Sequence, residues 1–276
     1  MLDPRLFADG PARDARFRVA EVWAEADNLE PGDSRFTVEF LHRQMNEEVN
    51  GLEIAARALA DFPDADWELR LAIARQCWDE ARHVEMFRRL FERRGGRLGV
   101  YPVLNFQYRI LTRIDSLVGR LTVQNRSFEA GGIDAIQVEI EAARALGETE
   151  VVELLDAQLA DEIQHVRYAN DWIRRLVERG GPRTTFEVVR AIGQARAAFE
   201  VVSGGTTVTY EVAAELRREA GFSDGEIEAA RQLVGRVSED PPDAPPSEAR
   251  TSGRPSASGP APGAEHHHRE ARSRRG

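Results

Sequence analysis

The chain has little cysteine, little histidine, a deficit of positive charge and no long apolar run, and each shortage excludes something. A single cysteine, Cys77, cannot form an intrachain disulfide. No stretch of about 18 apolar residues is available to span a bilayer. The first residues, Met1-Leu2-Asp3-Pro4-Arg5, lack the apolar core of a secretory leader. Together these predict a cytoplasmic protein with no membrane partner. Lys and Arg number 37 against 47 Asp and Glu, a net charge of −10, which argues against nucleic acid as a partner because that grip depends on neutralising phosphates. Strand-type alternation is scarce too, so the expected class is all-α.

Histidine is the informative shortage. Outside the cluster His266, His267 and His268 there are only His42, His83 and His165, and two of those three close an identical word. Asp79-Glu80-Ala81-Arg82-His83 and Asp161-Glu162-Ile163-Gln164-His165 both read D-E-x-x-H, 82 residues apart. A lone E-x-x-H is weak evidence in an acidic chain. Chance would place the full word on two of three histidines on the order of once in 10⁴ chains of this composition. Glu and His three apart share a helical face, so each word offers a carboxylate and an imidazole to one metal.

Helix-period patterning predicts four long helices. The first runs from about Ser34 to Ala60 and stops at Asp61-Phe62-Pro63-Asp64; the second runs from Asp64 to Arg94 and ends at Gly95-Gly96. A link through Tyr101-Pro102 gives room for a crossover. The third helix covers Phe106 to Leu146 with a kink or bulge at Gly131-Gly132, and the fourth follows Gly147 and stops at Gly180-Gly181-Pro182. Short turns within pairs and a long link between them describe a four-helix bundle with one long crossover. Additional C-terminal helices are expected around Thr185 to Val202 and after the capping box Ser223-Asp224-Gly225-Glu226. The organisation is an N-terminal arm (1–33), the bundle (34–180), a C-terminal helical extension (181–237) and a disordered tail (238–276) rich in Pro, Ser, Gly and Ala.

A dinuclear site in a bundle needs one further carboxylate from each remaining helix. Glu48 precedes Glu80 by 32 residues and Glu129 precedes Glu162 by 33, so the two halves repeat almost in register. Glu47 fits that spacing equally well, but Phe40, Gln44, Glu48, Leu52 and Ala55 form one stripe that turns Glu48 inward. Glu53 lies off that line, and Asp134 and Glu139 are weaker alternatives to Glu129. Spacing and pattern favour Glu48, Glu80, His83, Glu129, Glu162 and His165 as metal ligands and catalytic residues, with Glu47 or Glu53 left open in place of Glu48. Asp79 and Asp161, one residue before a ligand Glu, face a neighbouring helix, where each can accept the free ring N–H of the opposite His. Two divalent cations would cancel the charge of four buried carboxylates. Imidazole and carboxylate donors with open positions suit two Fe ions, or Mn/Fe, better than structural zinc. Such a centre predicts O2 and a small-molecule substrate as partners, with an electron donor besides.

The chain resembles the ferritin-like superfamily of di-iron carboxylate proteins, and more closely a bacterial ferritin-like domain family. That family is marked by an E-L-x-A-I-E-L segment, an E-A-R-G-L-D box and a D-E-x-x-H-V followed by a Trp. Here these read Glu48-Val49-Asn50-Gly51-Leu52-Glu53-Ile54, Glu129-Ala130-Gly131-Gly132-Ile133-Asp134 and Asp161-Glu162-Ile163-Gln164-His165-Val166 with Trp172 following; Ala220-Gly221-Phe222 resembles a late A-G-F. Gly131 replaces the usual Arg, and Asn46 stands where relatives often carry His. The resemblance, over about Phe36 to Phe222, implies the bundle, two metals and the same six ligands. The expected function is O2-dependent oxidation or monooxygenation of a small organic substrate. Rival expectations are non-catalytic iron binding or storage, a metal-stabilised scaffold, and a tRNA-modifying hydroxylase; a homodimer is a further expectation.

Lesser candidates complete the reading. Tyr168 and Cys77 are expected near the metals as core residues, and Phe128, Trp78 and Met45 as a cavity wall or core filling. His42 is read as structural. Arg126 faces either an anionic substrate or a ligand carboxylate.

Overall fold

A computed structural model describes residues 17–20, 22–26, 29, 33–203 and 210–239, and the account is confined to these. The chain is almost wholly helical. Its elements are β1 (Arg18–Ala20), α1 (Phe36–Asp61), α2 (Trp67–Arg93), β2 (Pro102–Leu104), α3 (Phe106–Leu111), α4 (Leu117–Val123), a π-helical turn (Gln124–Glu129), α5 (Ala130–Ala145), α6 (Thr149–Ser203), α7 (Ala214–Glu219) and α8 (Asp224–Glu239).

Short links join α1 to α2 and α5 to α6, and α6 packs against α2, α4 and α5. The long link between the pairs carries β2, which pairs in parallel with β1 in the register Arg18 to Pro102. Arg18 ties the two further, its guanidinium donating to Gly99 O at 3.1 Å and Val100 O at 2.9 Å. From the core side, His42 Nε2 accepts the Gly99 N–H at 3.1 Å, and its ring lies among Phe17, Phe91 and Tyr101. Its structural reading agrees with that place.

Two apolar layers close the ends. Phe40, Leu41, Phe87, Phe91, Ile140 and Leu155 form one; Ala55, Leu69, Ile73, Leu121, Ala169 and Trp172 form the other. Between these layers every long helix buries polar residues: Glu48 on α1, Glu80 and His83 on α2, Asn125 and Glu129 on the π turn, Glu162 and His165 on α6. Buried apolar side chains stabilise a fold by about 1.5–3 kcal/mol each, so the two ends can hold a polar middle that does not stabilise itself.

Three local expectations are corrected. The third helix is not continuous: α3 stops at Leu111, and α4 restarts at Leu117 with Ser116 Oγ accepting the Gly119 N–H at 3.2 Å. The bulge lies not at Gly131-Gly132, which are helical, but just before them at Gln124–Glu129. Its physical use is plain at the site below. The second helix starts at Trp67, three residues later than expected, because Pro63 to Asp66 form the turn.

The break at Gly180-Gly181-Pro182 is present: Gly181 sits at φ 61°, ψ −146°, open only to glycine at low strain, and it divides α6 into two arms. The second arm covers the region expected to be a separate helix near Thr185. The capping box opens α8, with Glu226 accepting the Ser223 N–H at 2.8 Å. Ser238 and Glu239, placed in the tail by composition, close α8; the rest of the tail lies outside the described residues, as does most of the 1–33 arm. No helix among the described residues is long and apolar enough to cross a membrane.

Candidate metal centre

All six residues singled out by spacing meet in the polar middle layer, each at most 9% exposed. They form two overlapping sets: Glu48, Glu80, His83 and Glu162, and Glu80, Glu129, Glu162 and His165. Within each set one donor atom per residue lies within 4.8 Å of all the others. Glu80 and Glu162 belong to both. Glu47, 39% exposed, and Glu53 belong to neither. Asp134 is taken up elsewhere by Arg217, 2.6 Å away.

Both imidazoles turn Nδ1 inward. His83 Nδ1 lies 2.8 Å from Glu48, 3.5 Å from Glu80 and 3.6 Å from Glu162; His165 Nδ1 lies 3.7 Å from Glu80 and 3.5 Å from Glu162. Their Nε2 atoms point to the crossed aspartates, His83 to Asp161 at 3.1 Å and His165 to Asp79 at 3.4 Å. With Nε2–H donating to each aspartate, an Nδ1 that gave up its proton to an incoming metal ion would turn its lone pair on the cluster. Arginines back both aspartates from the solvent side, Arg75 on Asp79 at 2.7 Å and Arg82 on Asp161. Burial raises the Asp79 carboxyl, but the His165 and Arg75 hydrogen bonds outweigh it and hold the group down at about 2.

Electrostatics show what the cluster requires. Burial pushes the Glu48 carboxyl well up, against the pull of His83, and pushes Glu129 up to about 8, with Glu162 repelling it further. Burial likewise raises Glu80, yet hydrogen bonding to His83 and the charge of both imidazoles leave it lowered. His83 is driven up to about 11, because Glu48 and Glu80 overcome the burial that opposes its charge. Four carboxylates in one low-dielectric layer therefore demand positive charge. His165 Nδ1 is buried with no hydrogen-bond partner, although two carboxylates stand within 4 Å. An unbonded imidazole nitrogen facing carboxylates is a metal donor's arrangement, and the residues present fit a metal ion.

Amides hold the carboxylates in place, and the sequence reading passed them over. Gln158 Nε2 donates to Glu48 at 2.8 Å; Gln76 Nε2 donates to Glu80 at 3.0 Å and also to Glu129. Both glutamines stand four residues before the motif Glu, so the repeated word is really Q-x-x-D-E-x-x-H, a signal visible in the sequence. The π turn supplies two more donors to Glu129, Gln124 at 3.0 Å and Asn125 at 2.7 Å. In a regular α-helix residues 124 and 129 would point about 140° apart; the wider π turn brings both onto one face. Gly51 is the other omission: a Cβ there would stand 2.9 Å from the Glu80 carboxylate, so only glycine lets that side chain lie against α1.

A cavity of about 430 Å³ opens on the carboxylate side of the cluster. Glu48, Glu80, Glu129 and Glu162 line it, and the two histidines do not. Gly131 and Gly132 line it as well, and a Cβ at either would meet only open space. Of the expected apolar wall, Phe128 is present, Met45 is buried in an end layer, and Trp78 is 67% exposed on the outer face of α2. Tyr168 donates to Gln76 Oε1 at 2.5 Å, which places it one amide away from Glu80 and Glu129. The Cys77 thiol is pushed up to about 11 by burial and by Glu80, which makes it a poor nucleophile. Arg126 meets neither a ligand carboxylate nor the cavity: it pairs with Glu226, bonds Asn170 and stacks on Phe222, latching α8 to the body.

Fold and site together define a helical protein with a buried carboxylate and imidazole cluster able to hold metal. The chain belongs to the DUF455 family, described as a protein of unknown function, whose match covers residues 3–228. Neither the curated proteins nor the solved structures contain a match.

Proposed function

We propose that the protein is a ferritin-like four-helix bundle holding two iron ions, or a manganese and an iron, and that it is an oxidoreductase, an oxidase or monooxygenase that uses O2 on a small organic substrate. The observation that carries this reading is the sharing of Glu80 and Glu162 between two donor sets that both adjoin one cavity. Each set pairs three carboxylates with one imidazole, a donor mixture that suits redox-active iron or manganese. Metal in such a site supplies the electrons for reaction with O2.

The chain's own residues do the rest. Asp79 and Asp161 fix the imidazole tautomers, and Gln76 and Gln158 aim the carboxylates. The histidine side is shut by the aspartate and arginine pairs, so a substrate has access from the cavity side, where Phe106 and Phe128 line the wall. A storage site needs no such cavity beside its metals.

Metal analysis followed by anaerobic Fe(II) titration and exposure to O2 with optical monitoring tests the reading. Two irons per chain with a transient visible band on O2 exposure is the expected result. Two irons with slow, featureless oxidation would leave a metal-stabilised scaffold, and many more than two would mean storage.

A further inference from the structure

Three residues that line the cavity carry side-chain acceptors with no partner among the described residues. Asn46, Gln124 and Gln158 line the cavity, are 2%, 5% and 4% exposed, and their side-chain oxygens are buried without a partner. In each case the amide nitrogen is already committed: Asn46 to Leu104 O at 2.9 Å, Gln124 to Glu129 at 3.0 Å, Gln158 to Glu48 at 2.8 Å. Turning an amide over would put its oxygen against another oxygen, so all three oxygens stay acceptors. A buried acceptor left unfilled is unfavourable, and a small side-chain shift that brings it to a ligand's hydrogen-bond donor relieves this.

Charge at the mouth has the same sense. Among the described residues Glu39, Glu47 and Glu139 line the cavity beside a single guanidinium, Arg43. Arg43 lies 3.3 Å from Glu39 and 4.0 Å from Glu47. Glu139 takes two hydrogen bonds from the neutral amide of Gln44, at 3.1 and 3.2 Å, and among the described residues it has no ion pair. Burial pushes its carboxyl up to about 7, although Arg43 draws it down, which is the condition of a carboxylate short of a cation. Aromatic rings complete the wall: Trp23 stacks on Phe106 at 6.0 Å, and Phe106 meets Phe128 edge to face at 6.0 Å. Aromatic faces attract organic cations and offer nothing to an anion.

We propose that the cavity receives an organic cation, a protonated amine or a guanidine, with its charge at Glu139 and its apolar part along Phe106 and Phe128. The inference rests on the preceding reading only in taking the cavity as the place where a substrate meets the metals. Buried acceptors, unpaired carboxylate and aromatic wall together select a donor-bearing cation over an anion of equal size. Arg43 does not reverse this, because two carboxylates already stand beside it.

Calorimetric binding of benzylamine, benzyl alcohol and benzoate to the full chain tests the proposal, with and without added Zn(II), the bound zinc being counted separately. The expected order is benzylamine at least tenfold tighter than benzyl alcohol, with benzoate not binding. Glu139→Gln should remove about tenfold of the amine's affinity and leave benzyl alcohol within twofold. Benzoate binding as well as benzylamine would overturn the proposal. So would a Glu139→Gln chain that takes up metal more slowly yet binds the amine unchanged, since the acidic mouth would then serve metal uptake. If zinc does not bind but the amine preference holds, the metal reading fails and the cavity assignment stands.

Discussion

The two halves of the molecule carry the same eight-residue word, yet they hold their outer carboxylates differently. Glu48, on the regular helix α1, takes one amide, Gln158 at 2.8 Å, and otherwise faces His83 at 2.8 Å. Glu129, at the end of the π turn, takes three amides, from Gln76, Gln124 and Asn125. One carboxylate is fixed by its surroundings, and the other is steadied mainly by a fellow donor. The lesson is that the repeat supplies equivalent donors and the local backbone makes them unequal, so two bound ions should differ in affinity. The set containing Glu129 and His165 should fill first, because less ordering is left to be done on binding.

Removing what the halves share should have the largest effect. Glu80→Ala takes a donor from both sets and should abolish tight binding of both ions. With metal withheld the same variant should melt below the wild type, because Glu80 is held ionised by both imidazoles and its loss leaves them and the Gln76 amide short of a partner. Thermal melts with and without metal check both halves of that statement.

Next in size are the crossed aspartates. Asp161→Asn acts through His83 and Asp79→Asn through His165, each leaving the imidazole free to take the wrong tautomer. Metal affinity should fall about 10- to 100-fold in each, in one site only, as read by competition with a chelator. The amides sharpen the comparison further: Gln158→Leu should weaken binding more than Asn125→Leu, since Glu129 keeps two amide donors and Glu48 keeps none. Equal losses would mean that the halves are alike after all.

The smallest effect lies outside the centre. Burial holds His42 down to about 4, so the ring is neutral in the fold while an unfolded chain would protonate it near 6.5. The unfolded state thus binds the extra proton between those values. The stability His42 contributes is complete above about pH 6.5 and is lost as pH falls toward 4, a change of order 2 kcal/mol. Denaturant melts of wild type and His42→Phe should converge across that window.

Much of this arrangement could be read before any coordinates. Apolar spacing and glycine punctuation locate α1, α2 and both arms of α6, since those signals are local: Gly181 breaks α6 because no other residue takes its backbone angles easily. The six clustered residues are legible because scarce histidine makes a repeated word conspicuous. What escaped depends on contacts between elements. The π turn has no residue signature, and its use appears only once Gln124 and Asn125 are seen to reach Glu129. Arg75 and Arg82 look like ordinary surface arginines until the aspartates beneath them are known to hold imidazoles. The three-residue pairing of β1 with β2 is too short to show as alternation. Gly51 reads as a weak point in a helix, and only the proximity of Glu80 explains it. Gln76 and Gln158 were within reach, because the repeat that revealed the ligands extends to them unchanged.

The most direct test is an anaerobic titration of the wild-type chain, His83→Ala and His165→Ala with Fe(II), counting tightly bound iron. Two unequal equivalents in the wild type are expected, one surviving in each variant, with the weaker survivor in His165→Ala. Fewer than one equivalent in the wild type, or two undiminished equivalents in either variant, would contradict the account.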